Sequence, residues 1–404
     1  MFPTYSSHGK LASSKFIPYH ITMTQTTAKT ELIPVLGLMS GTSADGIDGC
    51  VILTDGQHVT PTGINLCQPY RPEVASAVLA ARHDPAGYLS EPHRRQALIT
   101  AITDDHTQVT HQLVQAAGAA DLPPVQLIGF HGQTVYHNPA AGRTIQLGDG
   151  QQMARQTGLP VIYDFRRADM DAGGQGAPLA PVYHQILLRQ AGLAEPAAFL
   201  NLGGIANLTI CSGDDLLGFD TGPANGLMDA VCQQELGSAF DKDGALAAAG
   251  TPCPPFIEAV LADPWFCLSG PRSLDWAQFT GYLQDPRFTT LPIEDKLVSL
   301  AVVTAQSLSV ALSRLPFTLN TLVVAGGGVH NKTLMKLIKT NLPASCAVKT
   351  AEDINASSDM TEAELIAVLA ARHQAGLVST WPQTTGTSAP QISGVRAEPS
   401  QIGI

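Results

Sequence analysis

The stretch Leu36-Gly37-Leu38-Met39-Ser40-Gly41-Thr42-Ser43-Ala44-Asp45-Gly46-Ile47-Asp48 constrains the fold more than any other. The apolar run 33–38 predicts a strand, despite Pro34 at its entry. Residues 49–53 predict a second strand, so the unit reads strand, polar glycine-rich loop, strand. Gly41 and Gly46 permit positive φ and let backbone N–H groups face an anion with no side chain in the way. Ser40, Thr42 and Ser43 add hydroxyl donors. Asp45 and Asp48 stand where a carboxylate orients a magnesium ion or its waters. No Gly-Lys-Ser/Thr follows and no helix opens directly behind, which excludes a Walker A loop. Two readings remain: a phosphate-holding loop on a hairpin, or an ordinary turn rich in Gly and Ser.

The theme recurs in the second half. Residues 197–202 predict a strand, Gly203-Gly204-Ile205-Ala206-Asn207 a glycine turn, and 208–211 a second strand. Identity between the copies is slight, and hairpins with glycine turns are common. The shared pattern nevertheless predicts two α/β domains of one topology, each supplying a loop to a central cleft. A chain of 404 residues has room for both cores. The expected division is a flexible extension over 1–30 (with Met23 an alternative start to Met1), a first domain over 31–165, a second over 166–375, and irregular structure lying over the surface from 376. Helices are predicted over 72–82, 92–117, 151–157, 179–190, 227–236, 254–261, 294–314, 332–340 and 361–374. Further strands are predicted over 125–130, 144–147, 159–165, 216–219 and 321–325.

Polar motifs close several of these strands. His131-Gly132-Gln133-Thr134 reads as a turn after 125–130. Asp220-Thr221-Gly222-Pro223 follows 216–219, and a carboxylate in so pinned a loop suits a general base or an Asx turn. Gly326-Gly327-Gly328 precedes a helix, which suits a flat ring against the backbone or a phosphate at the helix N-terminus. Asp359 is expected to cap the 361–374 helix, with Glu362 in its first turn.

A net charge of −11 and the lack of any Lys/Arg cluster argue against a nucleic-acid or anionic-membrane surface. Seven scattered cysteines with no Cys-x-x-Cys pair read as reduced, buried thiols of a cytoplasmic protein. No apolar run is expected to be long enough to cross a membrane. His131 and His137 match no common metal-ligand spacing.

In order, the motifs Gly37-Leu38-Met39-Ser40-Gly41-Thr42-Ser43 with Asp45-Gly46 and Asp48, His131-Gly132-Gln133-Thr134, Asp164-Phe165-Arg166 with Gly173-Gly174-Gln175-Gly176-Ala177-Pro178-Leu179, Asn201-Leu202-Gly203-Gly204-Ile205-Ala206-Asn207, Gly218-Phe219-Asp220-Thr221-Gly222-Pro223 with Asn225, and Gly326-Gly327-Gly328 with Asn331 resemble those of the bacterial 1,6-anhydro-N-acetylmuramic acid kinases. The resemblance covers residue 35 to the C-terminus. It implies two RNase H-like domains of the actin/hexokinase-like ATPases around a central nucleotide cleft. It also implies ATP and Mg2+ as cofactors, a cytoplasmic role in cell-wall sugar recycling, and a homodimer. The implied reaction phosphorylates O6 of the anhydro sugar while water opens the bridge at C1.

On this resemblance Asp220 is the catalytic base and Glu362 helps to position the water. Gly41, Thr42, Ser43, Ala44, Asp45, Gly46, Ile47 and Asp48 form the ATP loop, with Asp45 toward magnesium. Gly203, Gly204 and Asn207 form the opposing loop, and Gly326, Gly327, Gly328 and Asn331 face the adenosine. His131, Gln133, Thr134, Arg166 and Asp169 line the sugar side, where an Arg suits the lactyl carboxylate; an interdomain ion pair is the other reading of Arg166, and a plain helix-terminal carboxylate that of Glu362. The 359–363 segment departs from the family's usual proline-aspartate entry and aromatic-rich helix. Competing functions are another sugar kinase of the same superfamily and a non-catalytic ATP- or sugar-binding regulator.

Overall fold

The computed structural model describes residues 31–41, 44–268, 270–274, 277–358 and 360–399. The expected extension 1–30, the loop positions Thr42 and Ser43 and the expected cap Asp359 lie outside the described residues. Two sheets organise the rest. In the first, β1 (Ile33–Ser40) pairs antiparallel with β2 (Gly46–Thr54), and β2 with β3 (Val59–Pro69). On the other flank of β1 run β4 (Leu127–Asn138) and then β6 (Val161–Tyr163), both parallel to it, while β5 (Arg143–Leu147) folds back on β4. In the second, β7 (Ala197–Leu202), β8 (Ile205–Ser212) and β9 (Asp215–Pro223) are antiparallel neighbours. Then β10 (Thr321–Ala325) and β11 (Ala347–Thr350) continue parallel from the other flank of β7. The RNase H-like order, three antiparallel strands followed on the far flank by two parallel ones, is thus present twice, as β3-β2-β1-β4-β6 and as β9-β8-β7-β10-β11.

Strand alternation assigns each face its partner layer. Leu36, Leu38, Val51 and Ile128 bury against Val74, Val78, Ile102 and Val109 of the helices Pro72–His83 and Pro92–Ala119. The opposite face, with Val35, Cys50 and Ile52, packs on the helices Pro181–Gln190 and Thr361–Gln374. Those two helices also meet Ala197, Phe199 and Val323 of the second sheet. Its far face buries Ala198, Leu200, Leu322 and Val324 under the helices Asn225–Leu236, Ile293–Ser313 and Lys332–Asn341. The layers therefore run helix, sheet, helix pair, sheet, helix.

The Thr361–Gln374 helix, which falls in the expected second domain by sequence, makes its closest approach to β1, β2 and β4 of the first sheet. The reason is backbone contact. Gly37 on β1 and Gly129 on β4 are register partners. A Cβ on Gly37 would stand 2.0 Å from the Ala363 carbonyl oxygen, and one on Gly129 would stand 2.4 Å from that of Ile366. Only glycine lets a helix approach a sheet so closely.

Other expectations shift with tertiary context. His131 to Thr134 lie inside β4 rather than in a turn after it, at an irregularity where Gly132 takes φ +70°. Asp220 likewise lies within β9, because strand pairing with β8 runs on to Pro223. The C-terminal segment is not wholly irregular: β12 (Val395–Ala397) pairs with β6, and a short helix, Pro382–Thr385, packs on β9. Cys67 and Cys267 are exposed rather than buried. Ile293–Ser313 is long and apolar enough to cross a membrane, contrary to expectation; 72% of that span is buried inside the protein, as the central helix of the second core.

Gly129→Val is expected to lift the helix from the sheet, costing about 1–3 kcal/mol and lowering Tm in a thermal melt. Gly118→Ala, a helical site with nothing within 4 Å of a new Cβ, is expected to leave Tm unchanged or raised.

Candidate active site

The β1–β2 loop leaves the sheet at Ser40 and returns at Gly46. Its turn closes through the Ala44 N–H on the Gly41 carbonyl at 3.3 Å, with Ala44 in the left-handed region at φ +59°. Gly46 is required by space: a Cβ there would sit 2.5 Å from the Gln68 carbonyl oxygen. Not every expected loop residue faces a ligand. Ser40 is buried, accepts from the Tyr70 hydroxyl at 2.8 Å and bonds His106 Nε2 at 2.7 Å. His106 Nδ1 donates to the Ile102 carbonyl, so Nε2 is the acceptor and the Ser40 proton is committed to it. Burial holds His106 neutral, its pKa pulled down to about 4. Ala44 and Ile47 point into the first core. Alternation turns Asp48 to the opposite face, where its charge acts on Glu362.

Glu362 stands in the first turn of the close-packed helix, whose N-cap is Met360. Solvent reaches it, and its carboxyl bonds none of the described residues. Crowding by protein raises its pKa, Asp48 raises it further and Arg166 opposes both. Arg166 donates from Nε to His131 Nε2 at 3.1 Å and from Nη1 to the Gly176 carbonyl at 2.7 Å. His131 is neutral, its Nδ1 donating to the Gly132 carbonyl; burial and then the Arg166 charge pull its pKa down to about 3. Gln133 is fully buried and donates to the Gly41 carbonyl at 2.9 Å, joining this strand to the phosphate loop, while its Oε1 is left without a partner. Thr134 accepts from Gln146 at 3.2 Å.

Asp169 corrects the expected sugar contact. It is wholly buried and both carboxylate oxygens are taken, by the Gly176 N–H at 2.7 Å and the Thr385 hydroxyl at 2.6 Å. It staples the 173–176 loop to the C-terminal segment. The Asn331 side chain caps the Lys332–Asn341 helix, its Oδ1 accepting from the Leu334 N–H. The glycines around it are spatially required, since a Cβ on Gly326 (φ +81°) would meet Asn201 Oδ1 at 2.5 Å and one on Gly328 would meet Leu202 at 2.5 Å; Gly327 is open. The Gly203 and Gly204 carbonyls accept from the N–H groups of Ala224, Asn225 and Gly226, anchoring the second glycine loop to the helix that follows β9.

On β9, Asp220 is buried and accepts from Asn207 Nδ2 at 2.8 Å and from the Leu274 N–H at 2.6 Å. Burial raises its pKa to about 6 despite those two bonds and the Arg272 charge. Asn207 Oδ1 is buried with no partner. Arg272 and Leu274 were not singled out in the sequence, and Gln175 only as part of the 173–179 motif with no role assigned. Gln175 accepts from the Ser273 hydroxyl at 3.1 Å and donates to the Pro271 carbonyl at 3.3 Å. The path from Glu362 through Arg166, the 173–176 loop and residues 271–274 to Asp220 is therefore continuous. The only clue in the sequence was the pair of aromatics Phe219 and Trp265 that Arg272 covers, and their separation from it hides the contact.

Two sheets of RNase H-like order on either side of a helix pair, with glycine loops at their strand ends, give the architecture of the actin/hexokinase-like class. The comparisons with known proteins narrow this. The sequence pattern of the family described as Anhydro-N-acetylmuramic acid kinase matches residues 33–398, and the chain belongs to that family. A relative of that name from Rhizorhabdus wittichii is 43% identical over 379 residues, covering 92% of this chain and 100% of its own. Another, from Methylobacterium nodulans, is 39% identical over 384 residues, covering 90% and 99%.

Ser40→Ala strands the Tyr70 hydroxyl and His106 Nε2 in the core. A loss of about 1–3 kcal/mol is expected in denaturant titration, with KM for ATP changed less than about twofold, because the hydroxyl is not a phosphate donor.

Proposed function

We propose that this chain uses ATP to phosphorylate O6 of 1,6-anhydro-N-acetylmuramic acid while water opens the anhydro bridge, giving N-acetylmuramic acid 6-phosphate and ADP in cytoplasmic recycling of cell-wall sugar. The observation that carries the reading is Asp220, a strand-held carboxyl whose burial sets its pKa at about 6, where a general base works near neutral pH. Asp220 takes one proton of the attacking water. The water oxygen bonds to C1, the C1–O6 bond breaks, and O6 takes the γ-phosphoryl group as ADP leaves. Proton, sugar oxygen and phosphoryl group are all accounted for.

Asn207 holds Asp220 Oδ1, which keeps the other carboxylate geometry fixed as the proton arrives. Glu362 orients the water, and Arg166 receives the lactyl carboxylate: its Nε and Nη1 are fixed by His131 and Gly176, and Nη2 bonds none of the described residues. The N–H groups of the β1–β2 loop hold the phosphates, and Gly326 to Gly328 offer a flat surface to the adenosine. Among the described residues no three His, Cys, Asp or Glu converge as a metal cage. The donor set instead fits magnesium arriving with ATP, since Mg2+ binds through one or two carboxylates plus phosphates. Asp45 and Asp48 supply those carboxylates, and Asp48 and Glu362 repel each other until a cation lies near. When bound, magnesium neutralises charge developing on the transferred phosphoryl group.

Incubation with magnesium ATP and the anhydro sugar is expected to give a product heavier by both phosphate and water in mass spectrometry. Asp220→Asn is expected to lose roughly 10²–10⁴-fold in kcat with its fold intact. In the wild type kcat/KM is expected to fall below pH about 6, because protonation removes the base. Phosphate transfer with the bridge intact, or undiminished turnover in Asp220→Asn, overturns the reading.

A further inference from the structure

We infer that Arg272 is the positioning residue of the catalytic base, holding β9 and the 271–274 segment together so that Asp220 is aimed and ionised for its reaction. The inference rests on the reading of Asp220 as that base. Three observations carry it. Arg272 and Asp220 exchange backbone-directed bonds: the Asp220 N–H donates to the Arg272 carbonyl at 2.9 Å, and Arg272 Nε donates to the Asp220 carbonyl at 2.9 Å. This reciprocal pair puts the Leu274 N–H, two residues on, against Asp220 Oδ2 at 2.6 Å. The guanidinium is itself immobilised. It is buried, lies 4.8 Å from the Trp265 ring centroid and 5.3 Å from that of Phe219, and donates from Nη1 to the Leu268 carbonyl.

So costly an arrangement is hard to explain as packing alone. A second guanidinium, Arg314, follows the Ile293–Ser313 helix, donates to the carbonyls of Phe266 and Leu268, and repels Arg272. The two guanidinium groups share the Leu268 carbonyl, Arg314 from the exposed side at 3.5 Å, and the buried Arg272 keeps its place despite the like charge. Arg272 is the charged group that acts on the Asp220 carboxyl among the described residues. Of the elements packed on β9, the strand β8 and the Pro382–Thr385 helix carry no Asp, Glu, Lys, Arg or His; the Ile293–Ser313 helix carries Glu294, Asp295 and Lys296, and the Pro181–Gln190 helix carries Tyr183, Arg189 and His184, the last buried and held neutral, and none of these charges acts on the Asp220 carboxyl. Removing Arg272 therefore removes both a favourable charge and the frame of the Leu274 bond. Both losses raise the pKa of Asp220.

The test uses the full chain with magnesium ATP and the anhydro sugar, in Arg272→Met, Arg272→Lys and Asp220→Asn. For Arg272→Met, kcat is expected to drop roughly 10–100-fold, with KM for ATP within about twofold. Its acid limb of kcat/KM is expected to move about one unit to higher pH. Arg272→Lys restores the charge and is expected to return the limb toward wild type. Its kcat stays low, because an ammonium cannot hold the Asp220 and Leu268 carbonyls in Arg's fixed fork. A folded Arg272→Met with wild-type kcat and an unmoved limb overturns the inference. Should that variant not fold, wild-type kcat in Arg272→Lys overturns it. Full activity in Asp220→Asn instead refutes the reading of the base, whatever the Arg272 variants do.

Discussion

The contact on which the rest depends is backbone against backbone: the Thr361–Gln374 helix resting on Gly37 and Gly129. With no Cβ on either strand, the Ala363 and Ile366 carbonyls lie where side chains would otherwise stand. The approach fixes the helix in depth, and thereby its N-terminal turn beside the β1–β2 loop. Glu362 is brought within reach of Asp48 and Arg166 by that placement. The other side of the helix completes the central layer, where Glu364 accepts from the Tyr183 hydroxyl and so joins the two helices between the sheets. One close contact thus sets the position of the Glu362 carboxylate, the middle core and the spacing of the sheets.

The second half of the site is held differently. Asp220 sits in mid-strand rather than on a helix, and its surroundings come from distant parts of the chain: Asn207 on the paired strand, Leu274 and Arg272 from a loop, and the 173–176 loop beyond them. Asp169 and Thr385 clamp that loop from beneath. The histidines of the first half are buried and neutral, so they shape the site through hydrogen bonds without titrating near pH 7. The charges that act on one another are Asp48 and Arg166 on Glu362 and Arg272 on Asp220, in surroundings where burial strengthens each interaction.

Much of this was legible in the residues. The hairpin around Gly41, its second copy at Gly203 and the 361–374 helix follow from period and punctuation, because those signals are local. The RNase H-like order came from the resemblance, and strand pairing bears it out. What was misread depends on partners far away in sequence. His131 to Thr134 and Asp220 looked like turns because polar residues and glycine usually end strands, yet pairing to β5 and β8 carries both strands onward. The strand β3 was missed because its exposed, polar-rich alternation offers little apolar signal. Asp169 carries site-like chemistry, but its oxygens are spent on Thr385 and Gly176, which no local pattern reveals. Arg272 was invisible for the converse reason: its role exists only once β9 lies beside it.

The central claim is that water oxygen bonds to C1 while the γ-phosphoryl group of ATP, and not an oxygen of water, ends on O6. It is tested most directly by one turnover in ¹⁸O-enriched water with magnesium ATP, quenched rapidly and read by fragment mass spectrometry. The expected product carries one ¹⁸O at C1 and none in its phosphate group. Label in the phosphate, or a phosphorylated sugar without label at C1, would contradict the account.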